Sequence, residues 1–339
     1  MSALTIPPAD AGDDVVSAAA AEPTRTERLT AGFQQRGGVV VLLVVVVAAA
    51  IGSTGFLTGG NPTSILVGNA YTSLLALGMT FVIITGGIDL SVGSVFALGG
   101  VLAAYGASHG GPVWALALPL LVCGGIGALQ GWIIARLGLA PFIVTLAGML
   151  GARGLLQAIT NQGTTTNLVP TGSAFASLGQ GTWGPVLTAV VAFGLGALLL
   201  QRTRFGQALF AVGGNENAAT LMGLPVARTK LLVYVLSGLL AGLAGTLNAS
   251  RLLSGVTNIG VGYELTAIAA VIIGGTLLTG GAGSVSGTVA GVLLLAVIQN
   301  LIGVHLSQYG SAASDAVNGL FLAVVVLVQT TLSRAQRIS

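Results

Sequence analysis

Charge is what this 339-residue chain has least of. Asp, Glu, Lys and Arg make up 6% of it, against about 25% in an ordinary soluble domain. A surface so poor in charge would not keep a chain of this size dissolved and unassociated. Aromatic residues are scarce too, at 5%. Cys123 is the one cysteine, which excludes an internal disulfide and any multi-cysteine metal site. Lys230 is the one lysine, and Leu231 follows it. A phosphate-binding P-loop needs Gly-Lys followed by Ser or Thr, so the chain carries no Walker-type ATPase site of its own. His109 and His305 stand in short outer loops with no second ligand near them in sequence. They suit solvation or hydrogen bonding better than a metal. These shortages exclude a soluble enzyme, a nucleic-acid binder and a disordered protein.

Hydrophobic residues make up 54% of the chain, and mean hydropathy is +0.95. Glycine is abundant, with 53 residues, about twice the usual share of roughly 7%. It follows no collagen period. Glycine is frequent in transmembrane helices, where it lets backbones approach closely. Gly127 and Gly131, Gly238 and Gly242, and the row Gly283, Gly287, Gly291 recur at spacings that put them on one helix face. They are expected to serve packing.

Residues 1–38 are polar, carry charges of both signs and are interrupted by Pro7, Pro8 and Pro23. They read as a disordered cytoplasmic tail. A transmembrane helix needs about 20 apolar residues. Ten stretches qualify as candidate spans: 39–57, 65–85, 91–106, 113–135, 140–160, 184–201, 231–250, 264–279, 285–304 and 315–332. Those at 91–106 and 264–279 are short and flanked by glycine pairs, as tilted, broken or re-entrant segments are. The membrane-spanning domain is thus expected over 39–332, with a short cytoplasmic tail at 333–339. With the N-terminus in the cytoplasm, ten crossings put Arg25, Arg28, Arg36, Arg136, Arg202, Arg204, Arg228, Lys230, Arg334 and Arg337 on the cytoplasmic side. Only Arg251 falls outside, and Arg153 falls within a span. That asymmetry follows the positive-inside rule and places both termini in the cytoplasm. Thr85-Gly86-Gly87 with Gly93 resembles Thr279-Gly280-Gly281 with Gly287 in spacing. Both fall on the cytoplasmic side, so the similarity does not demonstrate an inverted repeat.

Six polar features stand out. Residues 202–230 form the longest stretch in the second half that is not plainly a span. Gly213-Gly214 breaks the chain there, Asn215 is a good N-cap, Glu216 suits a first turn, and Gly223 with Pro225 supplies a stop. The reading is a short helix on the cytoplasmic face, or an ordinary amphipathic loop helix. Asp89 lies between two apolar stretches, either capping the helix that starts near Ser91 or serving a translocation path. Glu264 opens an apolar span, where a carboxylate favours the helix N-terminus. Asp315 opens the last span and reads as a cap. Arg153 sits well inside a span, where an arginine faces a bundle interior or cavity, or snorkels to an interface. Gly106-Ala107-Ser108-His109-Gly110 fits the nucleophile-elbow pattern, but it joins two spans and lacks the strand–turn–helix that this chemistry requires.

Three long motifs carry a resemblance: GMTFVIITGGIDLSVGSVFALGG, ALFAVGGNENAATLMGLP and GYELTAIAAVIIGGTLLTGGAGSVSGTVAG. In this order and spacing, over roughly residues 60–330, the chain resembles the permease subunits of ribose-type sugar ABC importers. The run PFIVTLAGMLGARG at 141–154 looks most like the branch importing furanose sugars such as galactofuranose. The resemblance implies an all-α integral membrane protein, a bundle of about ten transmembrane helices with the BtuC-like type II importer architecture and its inverted repeat. It implies a second permease subunit, alike or different, two cytoplasmic ATP-binding subunits, and a periplasmic or lipid-anchored sugar-binding protein. ATP and Mg would sit on the partner ATPase, with no cofactor on this chain. Gly213, Gly214, Asn215, Glu216, Ala218, Leu221, Met222 and Gly223 match the family's ATPase-coupling segment. The family often has an acid two positions after the glutamate of Tyr-Glu-Leu; here that position is Thr266.

Two functions follow for comparison. The first is a non-catalytic permease in the bacterial inner membrane, importing a monosaccharide, with Asp89, Ser91, Arg153, Asn248, Glu264 and Asn300 as candidate translocation-path residues. A neutral, hydroxyl-rich solute suits Ser and Asn better than fixed charge. The second is a secondary transporter or channel in which Asp89, Arg153 and Glu264 form an ion or proton relay.

Overall fold

A computed structural model describes residues 25–306 except 54, and isolated positions from 316 to 323. Residues 1–24, most of the expected span at 315–332 and the tail 333–339 lie outside the described residues. Eleven helices are seen among the described residues. They are α1 (Arg25–Gly52), α2 (Asn61–Ile84), α3 (Val92–Leu137), α4 (Pro141–Ile159), α5 (Ala174–Gln180), α6 (Trp183–Arg202), α7 (Arg204–Gly214), α8 (Glu216–Leu221), α9 (Val226–Leu252), α10 (Tyr263–Ile273) and α11 (Val285–Leu306). The β-structure among these residues is an isolated antiparallel bridge between Leu168 and Ser254.

Six of these helices, α2, α3, α4, α6, α9 and α11, are long and apolar enough to cross a bilayer. Their bounds follow the apolar runs, and glycine or proline marks several of them. Pro141 opens α4, where its missing N–H costs nothing. Gly138, at φ +66°, closes α3.

Several expectations need correction. The separate spans at 91–106 and 113–135 are the two arms of α3, a hairpin folded at Gly111, whose φ of 78° and ψ of −169° leave the helical region just before Pro112. The arms close tightly: a Cβ on Gly106 would lie 2.6 Å from the Trp114 carbonyl carbon. The expected span 264–279 stops as a helix at Ile273. Gly274-Gly275 ends it, with Gly275 at φ +89°, so α10 has 11 residues, about half of what a crossing needs. The expected span 39–57 is helical only to Gly52. Residues 25–38, read as disordered tail, are instead the first half of α1. Past Pro23 they contain no proline, and their Glu, Arg, Leu and Gln are good helix formers.

The core lies where α3, α9 and α2 meet. The most apolar window of α2 is 83% buried, that of α6 only 17%, so α2 is central and α6 peripheral. Glycine sets the crossings. Cβ atoms at Gly127 and Gly238 would run into the carbonyls of Tyr234 and Cys123, and one at Gly99 would lie 2.9 Å from Gly242 Cα. Gly131 meets Leu231 Cα at 2.9 Å, and Gly245 meets the Phe96 carbonyl. One glycine of each expected pair, Gly127 and Gly238, thus meets the other directly, while Gly131 lies on Leu231 and Gly242 on Gly99 and Cys123. Gly287 and Gly291 do the same for α11 against Gly274 and Ala270 of α10. A shared hydroxyl pair, Thr80 Oγ1 and Thr288 Oγ1 at 2.7 Å, ties α2 to α11.

Gly127→Val is expected to destabilise the protein by about 1–3 kcal/mol through overpacking, seen as a lower thermal midpoint in detergent. Gly194→Val on α6, with nothing within 4 Å of its added Cβ, should leave the midpoint nearly unchanged.

Candidate functional site

The segment 202–230 folds as a compact knob. Thr203 caps α7, its side chain accepting from the Gly206 N–H. α7 runs through Gly213 and Gly214, so the break falls one residue later than expected, at Asn215 with φ −160°. Asn215 Oδ1 accepts from the Ala218 N–H at 2.9 Å, which makes it the N-cap of α8, as its residue type suggests. Glu216 stands in the first turn of α8. Gly223, at φ +75°, turns the chain toward α9. Ala219 is buried under the knob, while Leu221 and Met222 are 89% and 68% exposed. Sequence reasoning did not foresee the brace: Lys230 Nζ donates to both carboxylate oxygens of Glu216 at 2.6 Å. It fixes α8 against the start of α9. Gly213 and Gly214 differ in role. Gly213 is pressed against the Ile84 carbonyl, whereas nothing lies within 4 Å of a Cβ at Gly214.

Asp89 is buried, 2% exposed, in the loop between α2 and α3. Its Oδ1 accepts from the Ser91 N–H at 2.9 Å and the Ser91 hydroxyl at 2.6 Å. Its Oδ2 accepts from the Ser237 hydroxyl of α9 at 2.6 Å. Asp89 is not the cap of α3, whose N-cap is Ser91 with no side-chain cap bond; it closes a local turn on the Ser91 N–H, and the bond to Ser237 adds a tertiary latch. Gln130 of α3 extends the cluster, with its Oε1 3.2 Å from Ser91 Oγ. A hydroxyl has one proton, and the charged acceptor at 2.6 Å takes it. The Gln130 amide serves Ser91 better turned over, with Nε2 donating to Ser91 Oγ, since amide orientation is assigned from the network. One end of this amide then faces Gly148 of α4 without a partner. Gln130 also lines a groove of about 460 Å³ between the second arm of α3 and α4. A single glutamine in an apolar run gave no sequence signal of this.

Arg153 anchors irregular backbone. Its Nη1 donates to the carbonyls of Thr257 at 2.9 Å and Ile259 at 3.2 Å, and its Nη2 to Ile259 at 3.2 Å. Residues 253–262 are non-helical and run along the first arm of α3: a Cβ at Gly255 would lie 2.8 Å from Val101 Cα, and Gly260 packs on Gly93. Inside a bundle such backbone needs donors from the protein, and Arg153 supplies them. Glu264 Oε1 accepts from the Gly262 N–H at 3.2 Å, at the start of α10. Thr266, at the position of the family's acid, donates back to the Gly262 carbonyl at 3.2 Å. Asn300 exchanges two hydrogen bonds with Asn61, at 2.9 and 3.2 Å, which braces α11 against α2. Asn248 is half-buried on α9. The structure thus joins Asp89 with Ser91 but spreads Arg153, Glu264 and Asn300 over other seams. Asp89, Arg153 and Glu264 each have separate partners.

The same elements recur in known proteins. Residues 61–329 match the profile of the family described as "Branched-chain amino acid transport system / permease component". The chain belongs to this permease family. It is 41% identical over 278 residues to the ribose import permease protein RbsC of Bacillus subtilis, covering 80% of this chain and 85% of that protein. It is 40% identical over 283 residues to RbsC of Escherichia coli K12, covering 81% and 87%. The inner membrane ABC transporter permease protein YjfF of the same strain is 41% identical over 253 residues, covering 70% of this chain and 74% of its own length. No solved structure matches the chain.

Ser237→Ala removes the partner of one buried carboxylate oxygen. It is expected to cost about 1–3 kcal/mol, read as a lower thermal midpoint of the purified permease. Ser237→Thr, which keeps the hydroxyl, should avoid most of that loss.

Proposed function

We propose that this chain is the permease subunit of an ATP-driven importer of a monosaccharide, working in the bacterial inner membrane with both termini in the cytoplasm. The observation that carries the reading is the knob at α7–α8 on a chain of this family. A capped, braced six-residue helix presents Leu221 and Met222 to solvent at the end of the bundle that also holds Arg136, Arg202, Arg204, Arg228 and Lys230. That cation-rich end is the cytoplasmic one by the positive-inside rule. Exposed apolar side chains on a rigid polar end suit a protein partner better than water. An ATP-binding subunit, holding ATP and Mg, docks there. A sugar-binding protein delivers solute at the opposite end, and a second permease, alike or different, completes the bilayer-spanning unit.

The bundle is expected to have about ten crossings in the type II importer arrangement. The two arms of α3 supply two of them, and α10 is a half-crossing with a non-helical lead-in, as in transporters built from broken helices. ATP binding and hydrolysis on the partner would switch two packings of the bundle between inward and outward access. The solute is a sugar, since the similar relatives named for a solute are ribose, fructose and L-arabinose permeases; the broader family description points to branched-chain amino acids. A furanose form is the finer expectation. The separate satisfaction of Asp89, Arg153 and Glu264 supports this reading over an ion-coupled transporter.

Leu221→Asp is expected to lower ATP-dependent uptake of labelled ribose by about tenfold or more, as loss of an interface anchor does, with membrane insertion unchanged. Its ATP-binding partner should co-purify in reduced yield. Uptake of labelled leucine in place of ribose, or uptake that survives ATP depletion, would sink the reading.

A further inference from the structure

The two Thr-Gly-Gly runs that look alike in sequence touch each other in the fold. A Cβ on Gly280, which sits at φ +84°, would lie 2.8 Å from the Gly86 nitrogen and 2.9 Å from the Gly213 oxygen. One on Gly281 would lie 2.9 Å from Gly214 Cα. Gly213 is pressed on the Ile84 carbonyl, and the same carbonyl accepts from the Gly281 N–H at 2.9 Å. Three main chains therefore meet with no side chain between them: the end of α2, the end of α7 and the turn from α10 to α11.

Each of the three leads somewhere. Past Gly214 the chain becomes the capped helix α8, tied to α9 by the Lys230–Glu216 pair. Past Gly87 it reaches Asp89, latched to Ser237 of α9 at 2.6 Å. Past Gly281 it enters α11, whose Gly287 and Gly291 seat α10. Side chains at a contact can change rotamer and absorb a displacement. Backbone in direct contact has no such slack, and close-packed interiors transmit strain.

We propose that this three-way glycine joint carries movement of α8 to the Asp89 latch and to α10–α11, and that Gly86 and Gly280 are positioning residues for transport. The proposal rests on the reading of α8 as the ATPase-coupling helix. It assigns to the joint a property that packing alone does not require: perturbing it should change how much solute moves per ATP, not whether the complex forms.

The test uses the complete complex, purified with its ATP-binding partner, reconstituted in liposomes and supplied with its binding protein. Solute uptake and ATP hydrolysis are measured on the same vesicles. Gly280→Ala is expected to keep hydrolysis and lower uptake per ATP by about tenfold, the effect of roughly 1.4 kcal/mol. Gly86→Ala is the milder variant, since its methyl meets only the Thr279 carbonyl at 3.6 Å while φ stays at +78°. It is expected to lower the ratio severalfold, and it decides the matter if Gly280→Ala does not assemble. Gly194→Ala, with open space around it, should keep the wild-type ratio. An unchanged ratio in the assembled joint variants overturns the proposal. So does an equal fall of uptake and hydrolysis, or an equal loss in Gly194→Ala. A wild-type complex that moves solute without ATP overturns the coupling reading itself, a failure visible before any variant is compared.

Discussion

Close approach of main chains across the α3–α9 seam is the constraint on which the rest depends. Gly99, Gly127, Gly131, Gly238, Gly242 and Gly245 leave no Cβ at the points of contact. In a bilayer, where lipid tails are as apolar as leucine, association relies on such packing and on interhelical hydrogen bonds. The seam also fixes the polar core. Ser237 precedes Gly238, so the crossing that Gly238 permits brings a hydroxyl within 2.6 Å of Asp89.

The few charges inside the bundle serve the backbone and its loops. Arg153 donates to the carbonyls of Thr257 and Ile259, in a segment that makes no helix. Asp89 accepts a main-chain N–H in the loop that follows α2. Unpaired backbone groups cost several kcal/mol in hydrocarbon. A charged side chain that meets two carbonyls, or an N–H and two hydroxyls, offsets part of its own desolvation while removing theirs. The interruptions at 85–91 and 253–262 persist for this reason. The second leads into α10, and the first sets Gly86 against Gly280 of the other Thr-Gly-Gly run, in the α10–α11 turn. The resemblance between those runs does not demonstrate an inverted repeat, yet it marks a common meeting point in the fold.

The ends of the molecule divide the work. One collects the cations, the capped helix α8 and its exposed Leu221 and Met222; Arg251 stands at the other, bonded to the Gln180 carbonyl.

The sequence by itself determined the class of the molecule, the positions of its long apolar helices and the cap and stop of α8. Apolar run length, proline, glycine and an Asn N-cap act locally, within a turn or two of where they stand. It also singled out Asp89 and Arg153, because a charge in so apolar a chain has few places to go. Only the tertiary structure decided that 91–106 and 113–135 fold into one hairpin, that α10 stops short, that Asn300 pairs with Asn61, and that Gln130 joins Asp89. Those outcomes depend on which backbones touch and which buried groups satisfy one another. A contact between residues far apart in the chain has no signature in either residue alone.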